Sequence, residues 1–134
     1  MNYLLDTHIA LWAITNPAHL DDSVISVLED TNNNIYFSAT SVWEIAIKHK
    51  IHPEQMPIDE RSFVTLCEST GFSRLDIKIP HIFEINSLAR PKDAPAHHDP
   101  FDRLLVAQAK SEGLLFVTRD SLIPYYNEPC IWKV

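Results

Sequence analysis

A chain of 134 residues, 46% hydrophobic and 22% charged, fits one domain spanning 1–134 that can bury a core without disulfides or a structural metal. No apolar run approaches the roughly 18 residues of a membrane span, and the first residues lack the basic region and cleavage site of a signal peptide. No membrane association and a cytoplasmic setting are expected. The formal charge of -7 argues against a surface that binds nucleic acid throughout, although carboxylates awaiting a metal in a nuclease add to the same count.

In chain order, Asn2 to Asp6 reads as a short buried strand and Thr7 to Ile14 as a helix ended near Asn16-Pro17. Asp21-Asp22-Ser23 supplies helix-start residues for Val24 to Leu28, and Asn32-Asn33-Asn34 stops that helix before the strand Ile35 to Ser38. A third helix covers Ala39 to Lys50. Pro53 and Pro57 mark a loop, Asp59 to Thr70 reads as a helix closed by Gly71, and Ser73 to Ile79 alternates like a strand. Pro80 begins a helix running to about Ala89, and Arg90 to His98 is a proline-bearing loop. A last helix runs from Asp99 to about Glu112 with Gly113 as its cap, followed by a buried strand at Leu114 to Thr118 and an edge strand at Ile131 to Val134. The alternation implies an α/β fold, a mostly parallel central sheet with helices on both faces, whose ligand site lies at the carboxyl ends of the strands. Cys67 and Cys130 lack metal-ligand spacing, and Cys67, beside Phe63, Val64 and Leu66, reads as a buried free thiol.

The chemistry lies in acids set among apolar residues. Asp6 ends Tyr3-Leu4-Leu5, Glu44 interrupts Val42 to Ile47, Asp99 and Asp102 stand at the mouth of an apolar helix, and Asp120 follows Leu114 to Arg119. Carboxylates gathered in one cleft repel one another unless protons or cations compensate them, and hard oxygen ligands suit Mg²⁺ or Mn²⁺. Each acid also has a purely structural reading. Asp99 before Pro100 fits a helix N-cap, Asp6 can cap the helix from Thr7, Asp120 can cap a turn before Ser121, and Glu44 can pair with Lys48 four residues on. Helical projection nevertheless puts Glu44 at the edge of the buried face.

Other signals are weaker. His97-His98 has no third spaced ligand and reads as an exposed loop pair, and Trp12 and Trp43, on amphipathic helices, fit core or partner-facing packing better than base stacking. With only Gly71 and Gly113, no glycine-rich phosphate loop exists.

Leu4-Leu5-Asp6-Thr7-His8, Ser38 to Ile45 with Lys48, His97 to Ala109 with its Asp-Pro-Phe-Asp-Arg, and Val117-Thr118-Arg119-Asp120 together resemble the PIN-domain ribonucleases, and among them the VapC-type toxins of bacterial toxin–antitoxin pairs. The resemblance implies a PIN-like fold and a metal site of Asp6, Glu44, Asp102 and Asp120, with Asp99 close by and Thr7 or Thr118 in support. It also implies an RNA substrate, a homodimer and a small cognate antitoxin. The chain departs from that pattern at His49-Lys50-Ile51, where Gly-Lys-Leu commonly follows the glutamate helix.

The resulting expectation is an endoribonuclease that hydrolyses phosphodiester bonds with Mg²⁺ or Mn²⁺, Glu44 acting on the metal directly or through water. Arg103 either contacts phosphate or locks a carboxylate. Two alternatives stand beside it: a catalytically degenerate module that binds a protein, and a phosphatase with Asp6 as nucleophile. The phosphatase would want a second carboxylate two residues on, where His8 stands.

Overall fold

A computed structural model describes all 134 residues. Five strands, β1 (Asn2–Leu5), β2 (Asn34–Ser38), β3 (Ser73–Leu75), β4 (Leu115–Thr118) and β5 (Ile131–Lys133), form one sheet in the order β3-β2-β1-β4-β5. Every pairing is parallel, including that of the edge strand β5 with β4. The helices are α1 (Thr7–Thr15), α2 (Asp22–Glu29), α3 (Ala39–Ile51), α4 (Glu60–Thr70), α5 (Ile79–Ile85) and α6 (Pro100–Glu112).

Alternation along the strands divides the core between the two faces of the sheet. Tyr3 and Leu5 of β1 join Ile35, Phe37 and Val117 beneath α1 to α4, where Ile9, Val24, Ile45, Phe63 and Cys67 are buried. Leu4 and Phe116 point the other way, toward Leu105, Val106 and Ala109 of α6 and toward Ile123 and Tyr126 of a 3-10 turn. The expected doubly covered sheet is therefore present, and parallel strands buried on both faces account for the near-continuous apolar runs in β1 and β4.

The expected strand over Ser73 to Ile79 stops at Leu75. Its only neighbour, β2, ends at Ser38, the residue paired with Leu75, so no ladder partner remains beyond that point. Ile79 becomes the first residue of α5, with Pro80 in the first turn where its missing N–H costs nothing.

A buried polar bridge fixes α6 against α3. Gln108 Oε1 accepts hydrogen bonds from Ser38 Oγ at 2.5 Å and Thr40 Oγ1 at 2.9 Å, and its amide faces His81 Nδ1 at 3.3 Å. All four side chains are buried, and Ser38 also caps α3 by accepting from the Thr40 amide.

Candidate active site

The order in which strands are added reverses between β1 and β4: β2 and β3 lie on one side of β1, and the chain then crosses to place β4 and β5 on the other. Ligands in open parallel sheets sit outside the carboxyl ends at such a switch point. Asp6 directly follows β1, Asp120 lies two residues after β4, Glu44 is in the second turn of the helix that leaves β2, and Asp99 and Asp102 stand at the head of α6. All five acids line one cleft of about 190 Å³, together with His8, Trp12, Lys48 and Arg119. A larger cavity of about 580 Å³ opens at the opposite end of the sheet, around Met1, Gly113 and Pro129, away from these acids.

Local backbone chemistry fixes the carboxylates. Asp6 is the N-cap of α1: Oδ1 accepts from the Thr7 amide at 2.7 Å, and Oδ2 accepts from Thr118 Oγ1 at 2.6 Å. Asp99 caps α6 by accepting from the Phe101 and Asp102 amides on Oδ1. Asp120 Oδ1 accepts from the Leu122 amide, while the Asp120 amide donates to Thr118 Oγ1. Structural and site roles thus coincide, because one carboxylate oxygen secures the backbone and holds the rest of the group in place. Glu44, only 2% exposed, does pair with Lys48 as helical spacing allows. Its other oxygen accepts from Thr7 Oγ1 at 2.7 Å; since that hydroxyl has a single proton, Ser41 Oγ must be the donor in its 2.8 Å contact with Thr7.

Crowding acids into a desolvated cleft changes their proton affinity. Burial pushes the Asp6 carboxyl up to about 6, against the opposing pull of the Thr118 and Thr7 hydrogen bonds. Asp102 is pushed up to about 9, first by burial and then by Asp6, Asp99, Asp120 and Glu44. Burial alone would lower the Lys48 ammonium, but the hydrogen bond and charge of Glu44 raise it instead. Oxygen donors whose mutual repulsion disfavours the charged form suit a hard divalent cation, which would replace the protons as compensating charge. Mg²⁺ and Mn²⁺ fit this donor set.

Two side chains, His97 and Arg103, stand otherwise than their sequence context suggests. His97 does not lie in an exposed pair: its side chain is 3% exposed, with Nδ1 2.8 Å from Tyr126 Oη and Nε2 3.2 Å from Asp102 Oδ2, whereas His98 is exposed. Burial, then the Arg90 charge, lowers its proton affinity. One ligand atom each from His97, Asp102 and Asp120 lies within 4.8 Å of the others. Arg103 neither lines the cleft nor pairs with a carboxylate; it is half-buried, with its Nε free of any hydrogen bond. The arginine at the cleft is Arg119. Trp43 is 51% exposed and meets Phe101 edge-on, while Trp12 packs against the core and lines the cleft.

The family model of the PIN domain matches residues 3–127. The chain belongs to the PIN-domain family. No curated protein sequence matches it. Among solved structures, it is similar to a chain of VapBC2 from Rickettsia felis bound to a promoter DNA fragment, with 21% identity over 100% of this chain and 98% of that one and a TM-score of 0.67. A chain of DNA-bound VapBC from Salmonella typhimurium aligns with 20% identity over 100% and 97% and a TM-score of 0.65. One of FitAcB from Neisseria gonorrhoeae aligns with 22% identity over 99% and 97% and a TM-score of 0.57. At these identities the likeness is one of PIN fold. No helix of this chain is long and apolar enough to cross a membrane.

Proposed function

We propose that this PIN-domain protein is a Mg²⁺- or Mn²⁺-dependent endoribonuclease and the toxin of a toxin–antitoxin pair. The observation that carries the reading is the convergence of Asp6, Glu44, Asp99, Asp102 and Asp120, from separate segments, in one cleft at the switch point of the sheet. Asp6, Asp102 and Asp120 would hold the metal, with Glu44 reaching it directly or through water. When bound, such a cation supplies compensating charge and Lewis acidity toward water and a phosphodiester oxygen.

The chain's own contribution is positioning. Thr118 and the Thr7 amide hold Asp6, the Leu122 amide holds Asp120, and Asp99 fixes the first turn of α6 so that Asp102 faces the cleft. Thr7 and Lys48 hold Glu44 from opposite sides. The toxin assignment draws support from the VapBC and FitAcB neighbours. An antitoxin would cover the apolar stripe of Trp43, Ile47 and Ile51, exposed along α3. A cytoplasmic homodimer belongs to the same reading.

The test is cleavage of mixed RNA by purified protein in Mg²⁺ or Mn²⁺, with EDTA and Asp6→Asn as controls. Metal-dependent cleavage lost in Asp6→Asn supports the nuclease; intact RNA in every arm leaves the degenerate protein-binding module. Expression alone should arrest growth, and coexpression of the antitoxin should restore it. Normal growth with soluble protein that cleaves RNA in vitro would remove the toxin assignment and leave the nuclease.

A further inference from the structure

We infer that Arg119 is the residue that grips the RNA backbone, binding a phosphate beside the one to be cleaved; the inference rests on the nuclease reading above. A cleft lined by five carboxylates repels a polyanion, so a strand entering it needs a fixed cation at the rim as well as any charge at the centre. Two permanent cations line the cleft, Lys48 and Arg119. Lys48 is held by Glu44. Arg119 forms no ion pair, although acids surround the cleft it borders.

What holds Arg119 is neutral. Its guanidinium lies 5.2 Å from the centre of the Trp12 ring, and Nη1 donates to the backbone carbonyl of His19 at 3.1 Å. Trp12 is itself stacked on His19, with ring centres 5.6 Å apart. An aromatic surface and one carbonyl therefore orient the planar fork before any ligand arrives, and the remaining N–H donors stay uncommitted within the chain. A phosphodiester, whose two non-bridging oxygens share one negative charge, matches that fork. Because the guanidinium is already ordered, little side-chain freedom is lost on binding.

Binding and cleavage separate this inference from the reading beneath it. A labelled single-stranded RNA oligonucleotide titrated in Mn²⁺ against Asp102→Asn protein, across a salt series, reads binding without turnover. Adding Arg119→Ala should weaken binding about tenfold and make the plot of log K against log salt shallower by about 0.7, the increment for one phosphate contact on a single strand. Arg119→Lys should keep that slope. Trp12→Leu should weaken binding by less than Arg119→Ala with the slope unchanged, since it loosens the cation without removing it.

In otherwise wild-type protein, Arg119→Ala should raise KM with kcat nearly constant. Thermal unfolding of each variant reports whether the fold is kept. An unchanged affinity and slope in Arg119→Ala, a loss confined to kcat, or no RNA binding by the parent protein overturns the assignment. If wild-type protein binds RNA through Arg119 yet cleaves nothing, the grip stands and the nuclease falls.

Discussion

Replacing Asp6 with Asn should stabilise the metal-free protein at pH 8, the reverse of what losing a buried hydrogen-bonded side chain usually does. The folded carboxyl titrates at about 6 against an ordinary value of 3.8, so holding it charged opposes folding by about 3 kcal/mol once both states are ionised. Asn resembles the protonated acid. Its Oδ1 can still accept from the Thr7 amide, but its Nδ2 meets Thr118 Oγ1, which now needs another acceptor for its own proton at a cost of about 1 kcal/mol. The net gain is about 2 kcal/mol, or about 6–8 °C in Tm for a domain of this size.

The pH dependence follows from the raised value. Between pH 4 and 6 the folded state binds more protons at Asp6 than the unfolded state, so wild-type stability falls as pH rises through that window; Asp6→Asn has no such loss. The difference between variant and wild type should therefore open from pH 4 to 6 and stay constant above, measured by differential scanning fluorimetry in EDTA. Saturating Mn²⁺ should stabilise wild type more than the variant and close or reverse the gap, since a ligand at 100-fold over its Kd adds about 2.7 kcal/mol. Equal Tm values at pH 8 in EDTA, or a gap that persists at pH 4, would refute the desolvation of Asp6. An identical Mn²⁺ response in both proteins would refute its part in metal binding.

Asp102→Asn should abolish RNA cleavage with the fold retained, whereas Asp99→Asn, which keeps a competent cap, should reduce it only partly; the opposite ranking in an oligonucleotide assay would exchange ligand and cap. Tyr126→Phe removes only the hydroxyl that meets His97, and through that ring it should weaken Mn²⁺ binding about tenfold by calorimetry. An unchanged affinity would make the Tyr126–His97 contact purely structural. Cys67, fully buried with its thiol pushed up to about 12 by burial, should resist alkylation until the protein unfolds, while the half-buried Cys130 reacts sooner; mass mapping after timed iodoacetamide treatment distinguishes them.

Most elements were legible because their signals are local. Val24 to Leu28, Leu115 to Thr118 and the Asp99-Pro100 start of α6 carry their periodicity or cap chemistry within a few residues. The acids were legible for a related reason: a charge inside an apolar run is conspicuous wherever it ends up. His97 was not, because its burial depends on Tyr126 in a 3-10 turn 29 residues later, and nothing near His97-His98 announces that partner. Sequence points to Arg103 as the arginine of the site and gives Arg119 no role. Only the packing of α1 against the loop after β4 brings Arg119 over Trp12 and leaves Arg103 away from the cleft. The length of β3 likewise depends on where its neighbour ends, not on its own alternation.

The Gln108 bridge bears on what the cleft does with its own repulsion. Glu44 is carried by α3 and Asp102 by α6, and the simplest relief for their like charges would be for the two helices to move apart. Gln108 joins the head of α3 to the middle of α6 through hydroxyls that have no water to turn to, so separation would strand several buried polar groups at once. Electrostatic stress that cannot be relieved by movement must appear as altered affinity for positive charge. The bridge thereby converts a tendency to spread into a tendency to capture a proton or a cation, and it acts on the affinity of the site without touching anything the site would bind.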